Sequence, residues 1–120
     1  MRALVVDDSS AMRAILRMTL QRQGFEVLQA KDGTDALSVL AATEPVDLIL
    51  IDWNMPVMNG LELLQHIRQQ SRFDPTRILM VTTETGMGQM AEALSAGANE
   101  YIMKPFTPEM VMDKLQLVGL

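Results

Sequence analysis

Apolar residues along this chain fall into two kinds of block that take turns. One kind is a short, nearly unbroken run: Leu4-Val5-Val6, Leu48-Ile49-Leu50-Ile51, Ile78-Leu79-Met80-Val81 and Tyr101-Ile102-Met103. Such runs have the form of parallel strands buried on both faces. Residues 25–30 alternate well enough to add a second strand in chain order. The other kind recurs at helical spacing. Met12, Ile15, Leu16 and Leu20 follow Ser9-Ser10, which can cap a helix, and Gly24 stands where a helix-ending glycine belongs. Ala36, Leu37 and Leu40 follow the Asp32-Gly33 turn and stop before Pro45. The third strand is expected over 47–52. Asn59 and Glu62 then have capping-box spacing ahead of Leu61, Leu64 and Ile67. Residues 71–76, with Asp74-Pro75, read as a loop before a fourth strand over 77–82. Gly86 and Gly88 loosen the start of a fourth helix, which Gly97 ends. Its expected apolar face is Met87, Met90, Ala91 and Leu94. A fifth strand over 99–103 precedes Thr107-Pro108, a cap with an N1 proline, and a last helix with Val111, Leu115 and Val118 inward.

Five strand–helix units in 120 residues predict one α/β domain with a parallel sheet covered on both faces. Crossovers should be right-handed. A closed eight-unit barrel needs about twice this length, so the sheet is open and doubly wound. Composition agrees: 48% of residues are hydrophobic and 21% charged, enough apolar surface for a core. The formal net charge of -5 argues against a nucleic-acid surface. With no cysteine, disulfides and thiolate zinc sites are excluded. The N-terminus lacks the form of a signal peptide, and no apolar run reaches membrane-span length. The expected location is the cytoplasm.

Four strands end on residues suited to metal or phosphate. The first runs into Asp7-Asp8, the third into Asp52, the fourth into Thr82 and the fifth into Lys104-Pro105. In an open parallel sheet, ligands bind beyond the carboxyl ends of the strands. Three carboxylates crowded there repel one another, which a hard divalent cation or Lys104 would relieve. A hydroxyl and a compact ammonium suit the oxygens of a phosphoryl group, and one carboxylate could accept it as an acyl phosphate. Any one of these residues could merely end a strand. Compatible chemistry at four strand ends favours a shared site.

These residues also carry a resemblance. Val5-Val6-Asp7-Asp8-Ser9, Asp52-Trp53-Asn54-Met55-Pro56, Met58-Asn59-Gly60, Val81-Thr82, Ala96-Gly97-Ala98 before Tyr101, and Lys104-Pro105-Phe106 occur in order along essentially the whole chain. In this set the chain resembles bacterial response-regulator receiver domains. The resemblance implies strand order 2-1-3-4-5 and assigns roles. Asp52 is the implied phosphoacceptor. Asp7 and Asp8 form the acidic pair of a Mg2+ site, with Asp8 and Asp52 touching the ion and Asn54 adding its backbone carbonyl. Lys104 pairs with the phosphoryl group, Thr82 is the switch hydroxyl, Tyr101 the switch aromatic, and the Lys104-Pro105 bond is cis. Thr83, beside Thr82, is larger than the residue often found there and could restrict access. Asn54 and Glu84 stand where the family tunes phosphate lifetime.

The implied function is a phosphorylation-activated switch rather than a metabolic enzyme, although the domain promotes its own phosphotransfer and dephosphorylation. The expected partners are a sensor histidine kinase or phosphotransfer protein, a target bound through helix four, strand five and helix five, and a phosphatase. The stretch from Asp52 to Pro56 leans towards chemotaxis, and a shuttle in another phosphorelay is the nearest alternative. Nothing beyond residues 118–120 follows the last helix, so a stand-alone receiver is expected, with a receiver cut from a longer regulator as the other option. A haloacid-dehalogenase-type phosphatase fits less well, because its Asp-x-Asp motif would need Asp7 and Asp8 spaced apart. Met87, Met90, Met103, Met110 and Met112 are expected mainly to fill the core, with an adaptable binding surface as the other reading. Trp53 beside Asp52 is a natural reporter. His66 is expected at the surface or in packing, and Arg13 and Arg17, one turn apart, on a solvated helix face, with a partner contact as the other reading.

Overall fold

The computed structural model describes residues 1–83 and 87–120. Its elements are β1 (Arg2–Val6), α1 (Ser10–Arg22), β2 (Glu26–Ala30), α2 (Gly33–Ala41), β3 (Leu48–Asp52), α3 (Gly60–Arg68), β4 (Arg77–Thr82), α4 (Met87–Ser95), β5 (Glu100–Met103) and α5 (Pro108–Leu117). A single 3₁₀ turn, Ser71–Phe73, lies in the segment expected to be plain loop. The strands form one parallel sheet in order β2-β1-β3-β4-β5, as expected. Strands two, three and five each start one residue later than the apolar pattern suggests.

The unbroken apolar runs follow from two-sided burial. Along β1, Leu4 and Val6 enter one core while Ala3 and Val5 enter the other. β3 divides Ile49 and Ile51 from Leu48 and Leu50, and β4 divides Ile78 and Met80 from Leu79 and Val81. α2, α3 and α4 cover the first face through Ala36, Leu40, Leu63, Leu64, Ile67 and Ala93. α1 and α5 cover the second through Leu16, Leu20, Val111 and Leu115. Local signals set the helix starts. The side chains of Ser9, Asp32, Asn59 and Thr107 accept from the backbone N–H three residues on, and Asn59 with Glu62 completes the capping box. Gly24 and Gly97 take φ of +92° and +111° just past their helices.

Two expected helix faces are corrected. Ile15 is 49% exposed, so the buried face of α1 is carried by Leu16, Thr19 and Leu20. Among the described side chains of α4, Ala93 is buried, whereas Ala91 and Leu94 face outward and Met90 is half-buried.

Arg68 ties the lower end of the fold together from the last turn of α3. Its guanidinium donates to the carbonyls of Gly97, Phe73 and Thr76 and to Asn99 Oδ1 at 2.6–3.0 Å. Asn99 Oδ1 also accepts from the Ile78 N–H. After β3, Met58 N–H donates to Pro56 O at 2.7 Å across Val57, whose φ is +70° and whose side chain is 95% exposed. A β-branched residue is strained in this three-residue turn of the rarer hand. Val57→Asn is expected to stabilise the fold by about 1 kcal/mol. An unchanged or lower urea midpoint would remove the case for strain at this position.

Candidate functional site

β1 and β3 are neighbours, and the strand order reverses between them, which opens a crevice at their carboxyl ends. Asp7 follows β1 directly, Asp52 is the last residue of β3, and Lys104 follows β5. Asp7 and Asp52 are 1% and 4% exposed, while Asp8 lies in the open. One carboxylate oxygen from each of Asp7, Asp8 and Asp52 lies within 4.8 Å of the others. Lys104 Nζ stands 3.2 Å from Asp52 Oδ1 and 3.7 Å from Asp7 Oδ2. Five of the expected site residues thus stand at adjacent strand ends, Thr82 among them as the last, buried residue of β4.

The backbone holds this cluster close. Trp53 N–H donates to Val81 O, and Gly60 N–H donates to Trp53 O. A side chain at Gly60 would collide with the Asp52 carbonyl and the Trp53 Cα, so glycine is needed for α3 to begin against the end of β3. Lys104 N–H donates to Thr82 O, which joins the β5 loop to β4. The Lys104-Pro105 bond is cis, in agreement with expectation.

The electrostatics are those of an anion-crowded pocket. Burial is the main cause that raises the Asp7 carboxyl above its ordinary range, opposed by the Ser9 amide and Lys104. Asp52 is raised by burial and then by Asp7, against the pull of Lys104 and the Asn54 amide. Asp7 Oδ2 is buried and accepts no hydrogen bond among the described residues. Hard oxygen donors, an unsatisfied buried carboxylate oxygen and mutual repulsion all fit a small divalent cation.

The other expected residues fall at different depths. Tyr101 is half-buried on β5, and strand alternation places it with Thr82 on the face covered by α4. Lys114 of α5 sits over its ring, 4.5 Å from the centroid, and pairs with Glu100 at 3.4 Å. Met90, Ala91, Leu94 and Tyr101 line a shallow apolar groove beside it. Asn54 and Thr83 are exposed, and Glu84 lies outside the described residues. Met90, Met103 and Met112 are half-buried and Met110 is exposed, so the core-filling expectation is corrected for these four. His66 is exposed, as expected. Arg13 is not part of a solvated face, because its Nη1 donates to the Asp7 carbonyl at 2.7 Å. Neither this contact nor that of Lys114 with Tyr101 had a sequence signal beyond a basic residue on a helix.

The profile of the response regulator receiver domain matches residues 3–116. The chain belongs to the response regulator receiver family. It is similar to the chemotaxis protein CheY1 of Helicobacter pylori, with 49% identity over 119 residues, covering 98% of this chain and 96% of that one. The CheY homolog of Campylobacter jejuni is 48% identical over 117 residues, covering 97% and 90%. Among solved structures, CheY4 of Vibrio cholerae superposes with a TM-score of 0.91 at 42% identity, covering 98% of this chain and 97% of that one. The protein is therefore a receiver of the CheY type, a phosphorylation-activated element of two-component signalling in chemotaxis. The phosphatase alternative has no support from these matches. Receivers of this type bind Mg2+ at an acidic pocket and interact with kinases and downstream targets. Among the described residues no helix is long and apolar enough to cross a membrane.

Proposed function

We propose that Asp52 accepts the phosphoryl group and that the cluster around it both promotes the transfer and reads the result. The observation that carries this reading is Lys104 Nζ at 3.2 Å from Asp52 Oδ1 and 3.7 Å from Asp7 Oδ2, above a buried pair of acids. The phosphodonor is a phosphohistidine on a sensor kinase or phosphotransfer protein. Attack by an Asp52 carboxylate oxygen forms the new P–O bond as the P–N bond breaks, and the imidazole leaves with the electron pair. Asp7, Asp8 and Asp52, with the Asn54 carbonyl, are the residues that would hold Mg2+. Bound there, the ion neutralises charge on the moving phosphoryl oxygens. Lys104 is already at the acceptor and needs only to follow the transferred group.

Thr82 is assigned to the phosphoryl oxygens, and Tyr101, on the same face, to the response. An inward turn of Tyr101 would remodel the groove of Met90, Ala91, Leu94 and Tyr101. The output is then a protein contact on α4, β5 and α5. We infer a cytoplasmic receiver, self-dephosphorylating and served by a phosphatase. Incubation with acetyl phosphate and Mg2+, followed by intact mass, tests the assignment. The expected result is one phosphate adduct in the wild-type chain and none in Asp52→Asn. An adduct that survives this substitution would move the acceptor elsewhere.

A further inference from the structure

Arg13 lies one turn into α1, spaced with Arg17 as on an ordinary solvated face. Its side chain instead folds back across the helix start, and Nη1 donates to the Asp7 carbonyl at 2.7 Å. That contact completes a cradle. Asp7 N–H donates to Ala30 O at 3.2 Å, and Asp7 Oδ1 accepts from Ser9 N–H at 2.9 Å. With its carbonyl held by Arg13, Asp7 keeps only Oδ2 free of hydrogen bonds among the described residues. The carbonyl belongs to the peptide that joins Asp7 to Asp8. Fixing that plane also fixes the position of the Asp8 Cα, from which the exposed Asp8 side chain leaves the backbone.

We propose that Arg13 is a positioning residue of the metal site, holding the Asp7-Asp8 peptide so that both carboxylates and Asp52 face one cation. The inference rests on the metal-site reading above. It makes a prediction of definite sign. A guanidinium near a dication repels it, so removal of the charge alone would tighten Mg2+ binding. Loss of a positioning bond has the opposite effect, and outer partners of ligands are worth roughly 10- to 100-fold in metal affinity.

The full chain can be titrated with Mg2+, followed both by fluorescence of Trp53, its single tryptophan, and by calorimetry. Arg13→Met is expected to bind Mg2+ about tenfold more weakly, with the metal-free melting temperature nearly unchanged. Arg13→Lys keeps a donor and should recover most of the loss. Equal or tighter binding by Arg13→Met overturns the positioning role and leaves the metal site standing. A wild-type chain without a saturable response by either readout overturns the metal-site reading and the role of Arg13 with it. Should Arg13→Met fail to fold, Arg13→Gln carries the same expectation, because its side chain is helix-compatible and too short to reach the carbonyl.

Discussion

Asp52→Asn is expected to melt at a higher temperature than the wild-type chain in metal-free buffer at neutral pH, while losing the ability to take phosphate. The substitution removes a charge from a residue that is only 4% exposed and faces another buried acid. Lys104 keeps Asp7 as a partner at 3.7 Å. The pH dependence has a definite sign. Burial and Asp7 raise the Asp52 carboxyl in the folded state above its ordinary value of 3.8. Between those two values the folded protein holds more proton than the unfolded chain, so wild-type stability falls as pH rises through that window. The penalty is complete above the folded-state value. The advantage of the asparagine variant is therefore largest near neutrality and shrinks as pH falls towards 3.8. Melting curves across this range, read as the difference between the two proteins, cancel the contribution of other acids. A variant that melts lower at neutral pH, or a pH-independent difference, would count against an anion-crowded pocket. Saturating Mg2+ should reverse the order. A ligand at 100 times its dissociation constant adds about 2.7 kcal/mol to the state that binds it, and the variant has lost one of the proposed ligands.

How much of this could be read from the sequence depends on whether the relevant contact is local. The strand runs were legible because a strand buried on both faces needs apolar residues at both parities, and β1, β3 and β4 supply them. The caps at Ser9, Asn59 and Thr107 were legible because the side chain and the N–H it accepts lie three residues apart. Strand order was not readable from pattern, since β3 pairs with β1 across a full strand–helix unit, and it came through the resemblance. The strand-end chemistry pointed to one place because a parallel sheet brings its carboxyl ends together. What escaped were contacts made by long side chains over distance. Arg13 reaches back six residues to a carbonyl, and Arg68 reaches 29 and 31 residues forward. Lys114 meets Tyr101 and Glu100 only because α5 packs beside β5. The face of α4 escaped for a different reason. Periodicity reports a stripe of apolar residues but not whether another layer covers it, and Ala91 and Leu94 are left outward next to Tyr101.

Lys104→Met carries the largest expected cost in stability among changes at the site. Methionine keeps the unbranched shape and removes the one cation within 4 Å of both buried acids among the described residues. Breaking a buried pair by deleting one partner costs about 3–5 kcal/mol when both groups are fully buried. The Lys104 side chain retains 19% exposure, so a loss of about 2 kcal/mol is expected in metal-free buffer at neutral pH. The loss has two signatures that a simple packing defect lacks. It should diminish as pH falls, because Asp7 and Asp52 can then take up protons in place of the missing ammonium. It should also diminish in Mg2+, which at the proposed site supplies positive charge to the same acids. Denaturant titrations with and without Mg2+, at two pH values, separate these effects. A cost unchanged by both conditions would mean that Lys104 acts through its stem alone. Function divides in the same way. Since Asp52 is untouched, acetyl phosphate should still add one phosphate to Lys104→Met. Tyr101 is the single tyrosine, so 3-fluorotyrosine labelling gives one fluorine resonance at the proposed switch residue. That resonance is expected to move on phosphorylation of the wild-type chain and to stay in place in Lys104→Met, because in the proposed mechanism the cation that follows the phosphoryl group links acceptor and switch.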